Sequence, residues 1–439
     1  MDTEAAGPDT PGPAGSGTAD VPEDRLGPPA RPLDAPRDGV PDLVTNPEQL
    51  AEAVSALGSG TGPVAVDAER ASGYRYGQRA FLVQLRREGA GTLLVDPVPL
   101  PDLSTLTRAL GDAEWVLHAA SQDLPCLAEL GLRPGDELFD TELAARLAGF
   151  DKVGLASIVE RLLGWQLTKE HSAVDWSTRP LPEPWLRYAA LDVEVLVELR
   201  DALHAELEAQ GKSEWARQEF AAVRDAPPAP PRDDPWRRTS GMHAVRSRRQ
   251  LAALRELWTE REEMARRRDL APGRVLPDRA LISAVTAMPS TTDELVKLPI
   301  FSGPANRRIA ERWLGAISRG RRLPDEELPP HALPGDGPPP PRMWKDRDPA
   351  AAVRLTAARA VVTGLAAEHR MPVENLMTPD SLRRLCWAPP GTIDEPSVAA
   401  ALTTLGARPW QVDLVTAPVV AAMTAPEPTD DEDDDAPAT

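Results

Sequence analysis

The sequence predicts an α/β domain built on a mixed sheet, followed by two all-α helical-bundle modules. Three observations carry this. Short β-type runs alternate with helical patterns in the first half, two proline-rich stretches interrupt the second, and the segments behind those stretches share corresponding apolar positions. A chain of 439 residues also exceeds what one core serves, at roughly 100 to 200 residues per domain.

Taken in order, residues 1–42 are rich in Pro, Gly, Ala and Asp with little aliphatic content. Such a composition does not offset the entropy of ordering, so an acidic tail without fixed structure is expected there. Residues 43–223 form the α/β domain. Within it VAVDAE (64–69), AFLVQL (80–85), TLLVD (92–96) and WVLHA (115–119) read as strands, and 101–110 and 121–130 as helices. Helices dominate from about 141 to 221 and include one long segment from Glu183 to Ala209. Of the 48 prolines, many fall in 224–240 and 323–348, which are expected to be linkers. The helical modules occupy 241–322 and 349–425, where Leu270, Pro272, Leu276 and Leu281 answer to Met371, Pro372, Leu376 and Leu382. Two copies are too few for a solenoid, so tandem modules are expected. Residues 426–439 form a second acidic tail.

A formal net charge of −19 argues at first against a nucleic-acid partner, so the distribution of charge decides. Much of the acid lies in the tails, including Asp430, Asp431, Glu432, Asp433, Asp434 and Asp435. Segment 241–322 is the reverse, with seventeen Arg and Lys against nine Asp and Glu. Cys126 and Cys386 stand far apart in helical segments and offer neither a disulfide framework nor zinc-site spacing, which fits a reducing, cytoplasmic compartment. The N-terminal MDTEAAGPDTPGPAG has no basic region followed by an apolar one, and no run is expected to approach the roughly 18 apolar residues of a membrane span. A soluble monomer is expected. His118 follows a buried strand and reads as a core or sheet-end histidine. Lys169 and His171 are as compatible with a surface position as with a phosphate, and neither is taken as a site residue. QGKS at 210–213 lacks the glycine of a phosphate loop, since Glu206 stands in its place, so no nucleoside triphosphate site is expected.

The chemistry-bearing residues are carboxylates. Hydrolysing a phosphodiester without a nucleophilic side chain calls for metal ions that ionise water and hold charge on phosphorus and the leaving oxygen, and two ions about 4 Å apart do both. Mg²⁺ and Mn²⁺ take oxygen ligands, so Asp and Glu brought together from different elements are the pattern to seek. Asp67 and Glu69 end the strand VAVDAE, and alternation points both to one face while Ala68 points away. Asp123 follows WVLHAASQ where a strand turns into a helix, and is expected to be exposed at the sheet edge. Asp192 lies four residues after Tyr188 in LRYAALDVEVLVEL, placing phenol and carboxylate on one helical face.

In this order and context the pieces resemble the DEDD exonuclease superfamily in its tyrosine-bearing branch, and within it ribonuclease D. The resemblance spans roughly 43–425. VAVDAERASGYRYGQRAFLVQL is similar to the first motif, HAASQDLPCL to the second and RYAALDVEVL to the third, while LFDTELAARLAG and HSAVDWSTRPLP resemble the connecting blocks. Both helical modules resemble the helicase-and-ribonuclease-D C-terminal (HRDC) domain.

The resemblance implies a ribonuclease H-like fold, two divalent ions (Mg²⁺ or Mn²⁺) and 3′→5′ exoribonuclease activity releasing nucleoside 5′-monophosphates. Asp67 would bridge both ions, Glu69 and Asp192 would complete the first site, Asp123 would hold the second partly through water, and Tyr188 would orient the attacking water. Trimming of tRNA 3′ ends and turnover of stable RNA are the implied tasks. The second module has sparser basic residues, among them Arg354, Arg359, Arg370, Arg383 and Arg384, so packing on the nuclease is an alternative to nucleic-acid binding. Two other functions compete. A DNA exonuclease would use the same ligands, because the 2′-hydroxyl contact is not readable. A nucleic-acid-binding adaptor with an inactive nuclease fold would not need four acids in an anion-binding groove.

Overall fold

The computed structural model describes residues 30–167, 173–333, 335 and 337–425. The expectations for 1–29, for Lys169 and His171 and for the tail 426–439 lie outside the described residues. The main sheet has six strands in the order β2-β5-β4-β3-β6-β7. In chain order these are β2 (Leu43–Val44), β3 (Thr61–Arg70), β4 (Ala80–Glu88), β5 (Gly91–Val95), β6 (Trp115–Leu117) and β7 (Leu138–Asp140). β4 runs antiparallel to both β3 and β5, and the remaining pairs are parallel, so the sheet is mixed as expected.

Strand alternation sorts residues onto two faces. One face, with Val64, Val66, Ala68, Val83, Leu85, Trp115 and Leu117, is covered by helices α1 (Pro47–Ser59), α2 (Ser104–Leu110) and α3 (Leu124–Glu129). The opposite face carries Ala65, Asp67 and Glu69 on β3, Leu82, Gln84 and Arg86 on β4, and Val116 on β6. It is covered by α4 (Thr141–Ala148), α5 (Leu155–Leu163), α6 (Glu183–Glu194), α7 (Leu196–Ala209) and α8 (Ser213–Arg224). The result is a three-layer α/β/α domain.

Four expectations need correction. Glu183–Ala209 is two helices, broken at Val195 in a stretch where Val193, Val195 and Val197 crowd the backbone and weaken helix propensity. The break frees α6 to lie over β3, β4 and β5 while α7 packs on α4 and β6. Residues 30–42 are structured: β1 (Arg31–Leu33) pairs with β8 (Trp165–Leu167), Leu33 is buried, and Arg37 pairs with Glu194 and Glu198. The proline-rich stretches are anchored, because Trp236 and Trp344 are buried in the cores of the modules that follow them. Finally, Pro349–Glu368 is a 20-residue helix long and apolar enough by composition to cross a membrane. It is the central helix of the last bundle, with Leu355, Ala358 and Val362 buried against neighbouring helices.

The two modules repeat an order of elements: a long helix (Arg248–Arg268; Pro349–Glu368), a single turn (Pro272–Val275; Val373–Leu376), then a second helix (Asp278–Ala287; Pro379–Trp387). The corresponding Leu276 and Leu376 are fully buried. In the first module Gly320 permits close packing, since a Cβ there would lie 2.4 Å from Ala253. The second module shares a continuous core with α4–α8. Trp410 stacks on Trp215 at 4.7 Å and donates to Glu219 at 2.9 Å. Gly149, at φ +86°, abuts the Arg370 carbonyl so closely that a Cβ would sit 2.3 Å from it.

Candidate active site

β3 delivers Asp67 and Glu69 to the face beneath α6, and α6 brings Asp192 over them. One carboxylate oxygen from each of Asp67, Glu69 and Asp192 lies within 4.8 Å of the others. Tyr188, one helical turn before Asp192, donates its hydroxyl to the Asp192 carboxylate. Its ring stands 6.4 Å from that of the buried Trp176. Trp176 belongs to a segment pinned by Arg179, which donates to Asp96, to the Phe81 carbonyl and to the Trp176 carbonyl.

Asp123 departs from its expected position. It is buried rather than exposed, and it is not among the three carboxylates that converge. Its partner is Arg70, whose guanidinium lies 3.2 Å from the Asp123 carboxylate and donates to the Gln122 carbonyl at 2.9 Å. Simple alternation would turn Arg70 to the opposite face from Glu69. That face is the one covered by α3, which Asp123 precedes, and a register irregularity falls between Glu69 and Arg70. The turn before Asp123 is held by Asp140, whose carboxylate accepts from the backbone N–H groups of Ala119, Ala120, Glu142 and Leu143. Asp140 thereby caps α4 and fixes Ala119 in a left-handed conformation. His118 is a sheet-end histidine bonded to Thr141 at 2.9 Å, with burial pushing its pKa down to about 4.

The electrostatics show what the cluster accommodates. Burial, then the charges of Asp67, Asp192 and Asp123, pushes Glu69 up to about 10. Burial and Asp67 push Asp123 up to about 8 against the pull of Arg70. Burial raises Asp67, and burial with Asp67 raises Asp192 well above the carboxylate range. Acids this close and this enclosed do not all carry charge unless a cation joins them. The donors are hard oxygens from separate elements, so the set fits a divalent ion of the Mg²⁺ or Mn²⁺ kind.

Residues 41–208 match the family model described as 3′-5′ exonuclease, residues 250–317 that of the HRDC domain, and residues 337–423 that of the 3′ to 5′ exonuclease C-terminal domain. Ribonuclease D of Gluconacetobacter diazotrophicus is 34% identical over 311 residues, 69% of this chain and 78% of that protein. The chain belongs to the ribonuclease D family. Ribonuclease D of Escherichia coli K12 is 32% identical over 303 residues, 65% of this chain and 76% of its own length. The crystal structure of E. coli ribonuclease D, described as an exoribonuclease involved in structured RNA processing, superposes with a TM-score of 0.60. That match is at 29% identity and covers 83% of this chain and 98% of the other. A crystal structure of a protein from Bifidobacterium adolescentis superposes with a TM-score of 0.81 at 39% identity, covering 90% of this chain and 100% of that one. As a ribonuclease D family member with an acidic cluster able to hold a metal, the chain is a metal-dependent 3′→5′ exoribonuclease.

Proposed function

We propose that Asp67, Glu69, Asp123 and Asp192 hold two divalent ions and that Tyr188 completes the catalytic set for removing nucleotides one at a time from RNA 3′ ends as 5′-monophosphates. The observation that carries this reading is the convergence of Asp67, Glu69 and Asp192 under a helix that also presents Tyr188. Asp67 would be shared by both ions, Glu69 and Asp192 would complete the first site, and Asp123 would serve the second. Such ions, when bound, supply a water ionised at neutral pH and neutralise charge on the scissile phosphate. Tyr188 contributes a hydroxyl that orients the attacking water, while Trp176 behind its ring keeps it from swinging away.

The first helical module grips RNA upstream of the scissile end. Arg249, Arg261, Arg312, Arg319 and Arg321 are engaged inside the module and Arg248 with the stretch behind it, whereas Arg267, Arg268, Arg279, Lys297, Arg307 and Arg308 are exposed. The second module is a divergent HRDC-like bundle whose role is packing. Arg354 and Arg383 donate to the Cys386 and Pro338 carbonyls rather than facing a ligand, and its core merges with the nuclease. The substrates expected are precursors of tRNA and other structured RNAs; E. coli ribonuclease D is described as involved in structured RNA processing. The testing experiment incubates purified protein with 3′-extended tRNA and with end-labelled RNA and DNA of one sequence, in Mg²⁺, Mn²⁺ or EDTA. Stepwise shortening of RNA that EDTA abolishes supports the reading; preferential shortening of DNA favours a DNA exonuclease.

A further inference from the structure

Gln84 stands apart among the buried polar side chains. It is fully buried, and neither its Oε1 nor its Nε2 has a hydrogen-bond partner. On β4 it sits directly opposite Asp67 in the antiparallel register, so the two side chains leave the same face as cross-strand neighbours. Its neighbour on the other side is Leu94 of β5. Two residues away along β4 stand Leu82, packed with Ala189 and Ala190 of α6, and Arg86, paired with Glu194 of α6 at 3.2 Å. The amide is therefore enclosed by the sheet, by α6 and by Asp67.

A buried amide with no partner at either end is unfavourable, and an apolar side chain of similar size would serve the fold better. What lies beside it is the carboxylate at the centre of the acidic cluster. We propose that Gln84 is a positioning residue for Asp67: when a divalent cation binds, its Nε2 turns to donate to the Asp67 carboxylate and sets the orientation in which that carboxylate holds the ion. The inference rests on the assignment of Asp67 as a metal ligand. Carboxylates that bind metals are commonly held by a second hydrogen bond, and loss of such a partner weakens binding by about 10- to 100-fold. A neutral amide suits this place because an Arg or Lys donor would compete with the cation for the same charge.

The test compares wild type with Gln84→Met and Gln84→Leu. It reads Mn²⁺ binding by calorimetry, thermal unfolding in EDTA and in Mn²⁺, and kcat and KM on a short single-stranded oligoribonucleotide. The inference predicts a Tm in EDTA equal to or above wild type, since an unbonded amide has been removed. It also predicts Mn²⁺ affinity lowered by about 10- to 100-fold, a smaller rise of Tm with Mn²⁺, and a fall in kcat with KM for RNA little changed. Wild-type Mn²⁺ affinity and kcat would overturn it, as would a lowered Tm in EDTA with unchanged affinity, which marks a packing residue. Asp67→Asn is measured alongside. Loss of Mn²⁺ binding there with none in Gln84→Met sinks only the role of Gln84, whereas retention of binding in Asp67→Asn sinks the metal-site assignment as well.

Discussion

Tyr188 and Asp192 share one hydrogen bond, and the proposed function gives them different tasks that substitution separates. Tyr188→Phe is expected to lower turnover by about 10² to 10⁴, the range for a positioned proton-handling group, with Mn²⁺ affinity largely kept. Asp192→Asn is expected to lose affinity as well; equal losses in the two variants, read by calorimetry, would contradict this division. Asp140 acts on stability. Asp140→Ala leaves four backbone N–H groups without their acceptor, and a loss on the order of 3 kcal/mol in denaturant unfolding is expected. Asp67, Glu69, Tyr188 and Asp192 were legible in the sequence because strand alternation and helical spacing place them without knowledge of neighbours. Arg70 was not, because its partners Asp123 and Gln122 come from a distant segment that no local pattern contains. Gln84 reads as one more residue of a buried strand until the register sets it opposite Asp67. Asp140 is recognisable as a residue preceding a helix, but its bonds to Ala119 and Ala120 cross a separation no local pattern contains.

At the scale of elements, the strands of the nuclease domain were readable from apolar runs, while connections between distant segments were not. β1 has only three residues and gains its place from β8, more than a hundred positions away. The break at Val195 likewise answers to what α6 and α7 must cover. The docking of α8 on the last bundle carries its own pH signature through Lys212. Its ammonium donates to the Leu147 and His369 carbonyls at 2.6 Å each, and burial, then Arg370, lowers its pKa from 10.5 to about 8. Between those two values the unfolded chain binds a proton that the folded chain has released, so folding is favoured increasingly as pH rises through that window. Below pH about 8 both states are charged and the penalty of burying the charge is felt in full. The stability of wild type relative to Lys212→Met should therefore improve between neutral pH and about pH 10, read as the difference in Tm. A pH-independent difference would show that Lys212 is not buried as a charge.

Across the whole molecule, the first helical module touches the segment that leaves the catalytic strand. Arg79 pairs with Asp269 at 2.7 Å, the Ala271 N–H donates to the Tyr74 carbonyl at 2.9 Å, and Arg274 donates to the Gly73 carbonyl at 2.7 Å. The second module completes the nuclease core, so deleting the modules would damage the domain whose RNA grip is in question. Substitutions in the intact chain avoid this: Arg307→Ala with Arg308→Ala should weaken binding to structured RNA and reduce the salt slope by about 0.7 per lost contact to a single strand, leaving hydrolysis of a short oligonucleotide unchanged. An unaltered slope would make those arginines ordinary surface charge. The metal centre is the claim on which the rest depends, and Asp67→Asn tests it most directly, because the substitution removes a charge while keeping the shape of the side chain. With Mn²⁺ titrated calorimetrically into wild type and variant, and end-labelled RNA assayed in the same buffer, the account predicts lost Mn²⁺ affinity and abolished hydrolysis with the fold preserved. Near wild-type binding and turnover in the variant would contradict it.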